Sequence, residues 1–197
     1  MTNLVGRATS GRGLRRREQL TDAGVALLAE GGWPAVTTRA VAERAGAQVG
    51  LIHYHFGGLA GLHEAIARKA GDEVITPVLD ALLEAPEPHA ALETLRELVP
   101  ATTGEGRTLR LAVELMAGAL RDPVLGEVLR DGLRQARVRI GERLAELYPS
   151  WSGARRTGAA VVVTALLDGI VLHQVLDASL PVDEALAAVG ELLGERT

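Results

Sequence analysis

The amino-acid sequence predicts an all-α protein, and three observations carry that reading. Hydrophobic residues make up 47% of the 197 positions but aromatics only 3%, so the core must be built from Ala, Leu and Val. The β-branched residues are scattered and never gather into alternating runs. Apolar positions recur at i, i+3 and i+4, with most of the eight prolines falling between such stretches, where a missing N–H and a fixed φ do least harm. The length admits one ordinary domain or a small module joined to a larger one.

The elements follow in order. A first helix is expected over about 14–30, where Leu20, Ala23, Gly24 or Val25, Leu27 and Leu28 form a stripe and Gly31-Gly32 supplies the stop. Thr37 or Thr38 offers an N-cap for a short helix through Ala45, and Gly46 suits the left-handed residue that ends it. A second short helix is expected over about 48–55, closed by Gly57-Gly58. Longer helices follow over about 59–84 with a bend before Pro77, then 88–99, 105–121, 123–147, 152–177 and 182–194. In the 123–147 helix the buried stripe is Leu125, Leu129, Leu133, Ala136, Ile140, Leu144 and Leu147. In the 105–121 helix it is Leu109, Ala112, Val113, Met116 and Leu120.

Several function classes drop out on composition. There are no cysteines, which removes disulfide scaffolds, thiolate metal sites and Cys nucleophiles and fits a reducing, cytoplasmic setting. The N-terminus lacks the apolar run of about 7–15 residues of a secretory signal. The apolar stretch 159–176 approaches spanning length but contains Asp168, His173 and Gln174. One mid-bilayer Asp costs about 2.5–3.5 kcal/mol, so a buried helix is expected and no membrane partner. The four serines, Ser10, Ser150, Ser152 and Ser179, have no His at a recognisable spacing, and an enzyme is not expected. His53 and His55 diverge by about 200° on a helix, His63-Glu64 is followed by Ala67 where a second metal-binding His would stand, and Gly57, Gly58 and Gly61 follow no strand and precede no Gly-Lys-Ser/Thr. Neither a metal nor any other cofactor is expected.

Charge is unevenly placed. The chain carries net −4, yet residues 1–56 carry +3 and the remainder −7. A basic head on an acidic body suits contact with a polyanion through one end, because the phosphate term depends on local cations. The Arg-rich run at 130, 134, 137, 139 and 143 is interleaved with Glu127, Asp131, Glu142 and Glu146 and reads as a solvated face.

The chemistry concentrates in residues 37–56, T-T-R-A-V-A-E-R-A-G-A-Q-V-G-L-I-H-Y-H-F: two short helices joined by a tight turn at Gly46, a helix-turn-helix. Ala47, Ile52 and Phe56 can face inward with Val41, Ala42, Leu27, Leu28 and Trp33. Gln48, Val49, Gly50, His53 and Tyr54 then face outward, with Leu51 at the boundary. Such a face fits a major groove about 12 Å wide. Gln48 can pair with a base edge, Val49 and Leu51 can touch a thymine methyl, and Gly50 permits close backbone approach. His53, Tyr54 and His55 can donate to phosphate oxygens. Thr37 and Thr38 offer hydroxyls and helix N–H groups to a phosphate, and Arg39 can reach a guanine or a phosphate.

On these residues the chain resembles the TetR-type (tetracycline-repressor-type) transcriptional regulators. The likeness covers residues 15–66: A-L-L-A-E-G-G-W, then T-T-R-A-V-A-E-R-A-G, L-I-H-Y-H-F and G-G-L-A-G-L-H-E-A-I, with a weaker A-L-L-D-G-I-V-L-H later. The resemblance implies that Thr37, Thr38, Gln48, Gly50, His53, Tyr54 and His55 contact double-stranded operator DNA, that the last two long helices, near 152–177 and 182–194, form a homodimeric four-helix bundle, and that the body holds a pocket for a small-molecule inducer. Where many members carry a phosphate-gripping Lys after the aromatic segment this chain has Leu59; Arg15, Arg16 and Arg17 can reach phosphates from the first helix instead. The His53-Tyr54-His55 order also differs from the commoner Tyr-first version, a change expected to act on base preference more than on docking.

The expected organisation is a basic arm at 1–13, a DNA-binding module at 14–57 and a helical regulatory and dimerisation domain at 58–197. His89, Met116, Tyr148, Trp151 and His173 are the side chains able to orient a ligand. The expected function is a dimeric repressor released from a palindromic operator by a small molecule. A helical small-molecule binding protein acting through protein contacts is the alternative that Leu59 would favour.

Overall fold

The computed structural model describes residues 11–87, 90–97, 106–177 and 179–194. Among these residues all the regular structure is helical. The helices are α1 (Gly11–Ala35), α2 (Thr38–Arg44), α3 (Gly50–Phe56), α4 (Leu59–Glu84), α5 (90–97), α6 (Arg107–Arg121), α7 (Pro123–Leu147), α8 (Gly153–Leu176) and α9 (Val182–Gly194). Most of the expected arm at 1–13, the ends of the expected 88–99 helix and His89 lie outside the described residues.

α1 starts earlier than the apolar stripe, at Gly11, and its helical geometry breaks at Gly32 (φ 68°, ψ −174°), at the Gly pair read as its stop. α4 continues through Pro77; the ring removes one N–H from the ladder without ending the helix.

The chain packs as two compact units. Residues up to Asp72 and Arg110–Leu129 form one; Glu73–Leu109 and the chain from Arg130 onward form the other. The first unit therefore includes the start of α4, most of α6 and the first turns of α7 as well as α1 to α3. Its centre is Leu20, Val25, Leu28, Val36, Val41, Ile52, Leu62 and Ile66, all fully buried, and burying each such side chain contributes about 1.5–3 kcal/mol. α6 is tied to the C-terminal end of α1 through three successive turns. Arg110 Nε donates to the Ala29 carbonyl (2.9 Å), the Glu114 carbonyl accepts from Trp33 Nε1 (2.8 Å) while its carboxylate accepts from the Trp33 backbone N–H (3.2 Å), and Gly118 lies under the Trp33 indole. On the indole's flank sits the His63 ring, centroids 5.0 Å apart, with Nε2 donating to the Val36 carbonyl (3.0 Å).

This ties α6 in a rotation that differs from the expected one. Its buried residues are Leu111, Leu115 and Gly118; Leu109, Ala112, Val113 and Met116 are half-buried and Leu120 is 89% exposed. Apolar residues occupy more than one side of this helix, and the polar contacts of Arg110 and Glu114 with α1 decide which side turns inward.

In the second unit, Leu92, Leu95, Ile170, Val182 and Leu186 join α5, α8 and α9, with Val78 and Leu82 of α4 packed against them. Leu79, Ala136, Ile140 and Ala160 join α4, α7 and α8. The Arg run of α7 is largely spent on neighbouring oxygens: Arg134 on Asp131 (2.7 Å), Arg139 on Asp80 (2.8 Å), and Arg143 on Glu146 (2.8 Å) and the Ala85 carbonyl (2.9 Å).

α8 is only partly covered within the single chain. Gly153–Gln174 is long and apolar enough to cross a membrane, but only 17% of that window is buried within the chain. Gly158, Val162, Ala165, Leu172 and Leu176 are exposed and Gly169 half-exposed, a stripe spaced 4-3-4-3-4 along one side.

Candidate nucleic-acid interface

The site is built on the short pair α2 and α3. Thr37 caps α2: its Oγ1 accepts from the Ala40 N–H (3.1 Å), satisfying one of the donors a helix start leaves open. Gly46 takes the left-handed conformation (φ 56°) that turns the chain, and the Ala47 N–H closes on the Ala42 carbonyl (2.8 Å). α3 begins at Gly50, slightly later than expected. Gln48 and Val49 form its leading turn, their carbonyls accepting from the Leu51 and Ile52 N–H groups at 3.0 Å. Gly57 ends it in the left-handed region (φ 74°) with its N–H on the His53 carbonyl (3.0 Å).

Seven residues of helix are too few to stand alone in water, and packing beneath fixes their orientation. Ile52 is fully buried, as are Val41 and Ala42 of α2 and Leu28 of α1, and Ala47 and Phe56 are half-buried. Gln48, Val49, Gly50, His53 and Tyr54 face solvent, and Leu51 is half-buried, the division read from the sequence. Tyr54, 47% exposed, stands edge-on to the His55 ring, which in turn meets Phe56 edge-on, with centroids 4.9 and 6.3 Å apart. Thr37 and Arg39 are exposed and Thr38 is half-buried.

The cations around α3 differ in their commitments. Arg44 is held by a bidentate pair with Glu30, both bonds 2.6 Å, and Lys69 is paired with Asp22. Arg15 is exposed and Arg16 half-buried on α1. Arg17, grouped with them by sequence as a phosphate contact, has its guanidinium on α3: Nη1 donates to the His55 carbonyl (2.5 Å), and Cζ lies 4.6 Å from the Phe56 ring centroid. His55 itself is half-buried. Loss of solvent, then the Arg17 charge, then that of Arg16, push its pKa below the usual imidazole value, so the ring is a neutral hydrogen-bonding group at neutral pH. Leu59, at the first position of α4, is 40% exposed and offers no cation.

The expected ligand-orienting residues are dispersed. Tyr148 and Trp151 stack at 4.3 Å with 12° between their planes, and the Arg155 guanidinium lies 4.1 Å from the Trp151 centroid. His173 is exposed on α8, and Met116 is half-buried on the part of α6 that belongs to the first unit. A groove of about 350 Å³ in the second unit has Leu92, Glu93, Arg96, Leu186, Ala187, Gly190 and Glu191 as its described lining; Met116, Tyr148, Trp151 and His173 are not among them.

Comparison with known families places this architecture. Residues 20–66 match the N-terminal domain of bacterial regulatory proteins of the tetR family, and residues 88–196 match the C-terminal domain of BetI-type transcriptional repressors. The chain belongs to the TetR family. It is a transcriptional regulator that binds DNA by sequence, and not an enzyme. Members of the TetR family are typically dimeric and bind operator DNA and small molecules. Its curated relatives include the HTH-type transcriptional regulator BetI of Burkholderia mallei, 27% identical over 176 residues and covering 87% of each chain. Among solved structures, the transcriptional regulator SCO7518 of Streptomyces coelicolor A3(2) superposes with a TM-score of 0.74 at 26% identity, covering 90% of this chain and 97% of the other. The multidrug binding protein EbrR complexed with proflavin superposes with a TM-score of 0.69 at 27% identity, covering 90% and 99%.

Proposed function

We propose that this TetR-family regulator is a homodimeric repressor that reads a palindromic operator with α3 and is released by a small molecule held in its helical body. The observation that carries the reading is the division of the α3 segment: Ile52 is anchored in the core while Gln48, Val49, Gly50, His53 and Tyr54 stand in solvent. Gln48 and the apolar Val49 and Leu51 meet base edges, and Gly50 allows the backbone close to them. Thr37, Thr38, Arg39, His53, Tyr54 and His55, with Arg15 and Arg16 from α1, meet the backbone or adjacent bases. Residues 14–57 are the reading module and 58–197 the regulatory and dimerisation body.

The dimer forms through α8 and α9. The α8 stripe Gly158, Val162, Ala165, Gly169, Leu172 and Leu176 repeats at the 3-4 spacing of a helix–helix seam, and a Cβ added at Gly158 or Gly169 meets nothing within 4 Å, leaving room for close approach. That EbrR is a multidrug binding protein seen with proflavin supports a small organic inducer, with Tyr148, Trp151 and His173 of the second unit as its candidate contacts.

Selection of a bound sequence from random oligonucleotides tests the reading. It should return an inverted repeat with half-sites about 34–36 Å apart or a multiple of that. If each reading module neutralises about three to five phosphates, log affinity against log salt should have a slope of about −5 to −9. No selected sequence, or a flat salt response, refutes it.

A further inference from the structure

We infer that Arg17 is a positioning residue for DNA reading: it sets the pose of α3 against α1 from within the chain. The inference rests on α3 being the reading element. α3 is weakly defined by its own bonds. It has seven residues and no side-chain N-cap, and the carbonyls of its last turn lack intrahelical donors. The Gly57 N–H answers the His53 carbonyl, and Arg17 answers that of His55 at 2.5 Å from a point 38 residues earlier in the chain.

The same guanidinium lies over the Phe56 ring at 4.6 Å, so one group grips α3 by backbone and by side chain, and its charge sits where a helix C-terminus favours a cation. Its own base is anchored, because the Arg17 carbonyl accepts from the buried Thr21 hydroxyl (3.0 Å). Across the junction, Gly61 lies so close to the Phe56 carbonyl that an added Cβ would stand 2.0 Å from the oxygen. Phe56 is thus bounded by Arg17 on one side and the start of α4 on the other. Ile52 fixes the depth of α3; a guanidinium bonded at its far end fixes its tilt. A shift of about 1 Å at the outward residues suffices to break two-bond contacts with a base, whereas contacts to the phosphates tolerate it.

Operator and random-sequence affinities of the full-length protein, measured across a salt series, test this for Arg17→Gln, Arg17→Lys, Phe56→Leu and the Arg17→Gln/Phe56→Leu pair, with Arg16→Gln as the reference for a phosphate contact. Arg17→Gln should weaken operator binding at least tenfold, change random-duplex binding less than twofold and leave the salt slope at the wild-type value. Phe56→Leu should reproduce the operator-selective loss, and the pair should be no worse than Arg17→Gln alone. Arg17→Lys should restore little, since an ammonium lacks the planar fork; with Phe56→Leu, it carries the test should Arg17→Gln fail to fold. A slope smaller in magnitude by about 1.8 per dimer, the value for one lost phosphate contact on each protomer, with equal loss on both duplexes, would make Arg17 a phosphate contact and overturn the inference. So would full recovery by Arg17→Lys or additive losses in the pair. Wild-type protein that selects no operator would instead overturn the reading of α3 beneath it.

Discussion

Gly118→Ala and Gly71→Ala make the same chemical change in two helices of the first unit and should move stability in opposite directions. At Gly118 on α6 a new Cβ would stand 2.4 Å from Trp33 Nε1, 2.9 Å from Cε2 and 3.2 Å from Leu125 Cδ1. The indole cannot swing away freely, because Nε1 donates to the Glu114 carbonyl at 2.8 Å and the ring lies against His63. Overpacking of this kind costs about 1–3 kcal/mol, and a strained or lost indole hydrogen bond about 1 kcal/mol more. The better helix propensity of Ala returns about 1 kcal/mol. The net loss is about 2 kcal/mol, or about 4–8 °C in melting temperature for a chain of this size. At Gly71 on α4 the added Cβ meets nothing within 4 Å, the propensity gain stands alone, and stability should rise by about 0.5–1 kcal/mol. Thermal and urea unfolding followed by Trp fluorescence and helical circular dichroism, at one protomer concentration so that association does not shift the midpoint, provide the comparison. A Gly118→Ala protein as stable as the wild type, or the two variants shifting alike, would refute the argument that α6 is packed directly on the Trp33 indole.

Three further outcomes are expected. Val162→Asp places a charge on the α8 stripe at a position 66% exposed in the single chain; sedimentation should show a dimer for the wild type and a monomer for the variant, with the salt slope of operator binding roughly halved, and an unchanged dimer would move the interface elsewhere. Tyr54→Ala should lower the ratio of operator to random-sequence affinity, whereas Arg16→Ala should weaken both alike; equal ratios in competition gel shifts would show that the division into base and backbone contacts is misplaced. His55 makes stability fall in mild acid. Burial first, then Arg17 and Arg16, hold its folded pKa below the ordinary imidazole value of about 6.5, so as pH drops through that value the unfolded chain takes up a proton that the folded chain refuses until its own lower pKa is reached. Urea midpoints of His55→Gln should be flatter than wild type across that window, and parallel curves would count against it.

The helix-turn-helix and its solvent face were legible because the information that specifies them is local. The Thr37 cap, the Gly46 turn, the Gly57 stop and the alternation of Ile52 with Gln48, His53 and Tyr54 all lie within twenty-one residues, and each follows from helix geometry and burial. The rotation of α6 was not legible in this way. Leu109, Val113, Met116 and Leu120 make as good a stripe as Leu111 and Leu115, and the choice is made by Arg110 and Glu114 bonding to α1 across 81 residues. The commitments of Arg17 were hidden for the same reason: three consecutive arginines look alike until one meets a carbonyl 38 residues away. Residue type alone points to the aromatic and imidazole side chains as ligand contacts, whereas the packing stacks Tyr148 on Trp151 and leaves His173 exposed on another helix.

The sequence alone determined the helical class, the position of the helix-turn-helix and the face it turns to solvent, because propensity, capping and short-range periodicity act over one or two turns. Tertiary structure decided which side of α6 is buried, which arginine braces α3 and that α8 stays open along one side, because each depends on groups far apart in the chain meeting at hydrogen-bond or van der Waals distance. No local pattern encodes such a meeting; only the packed chain brings it about.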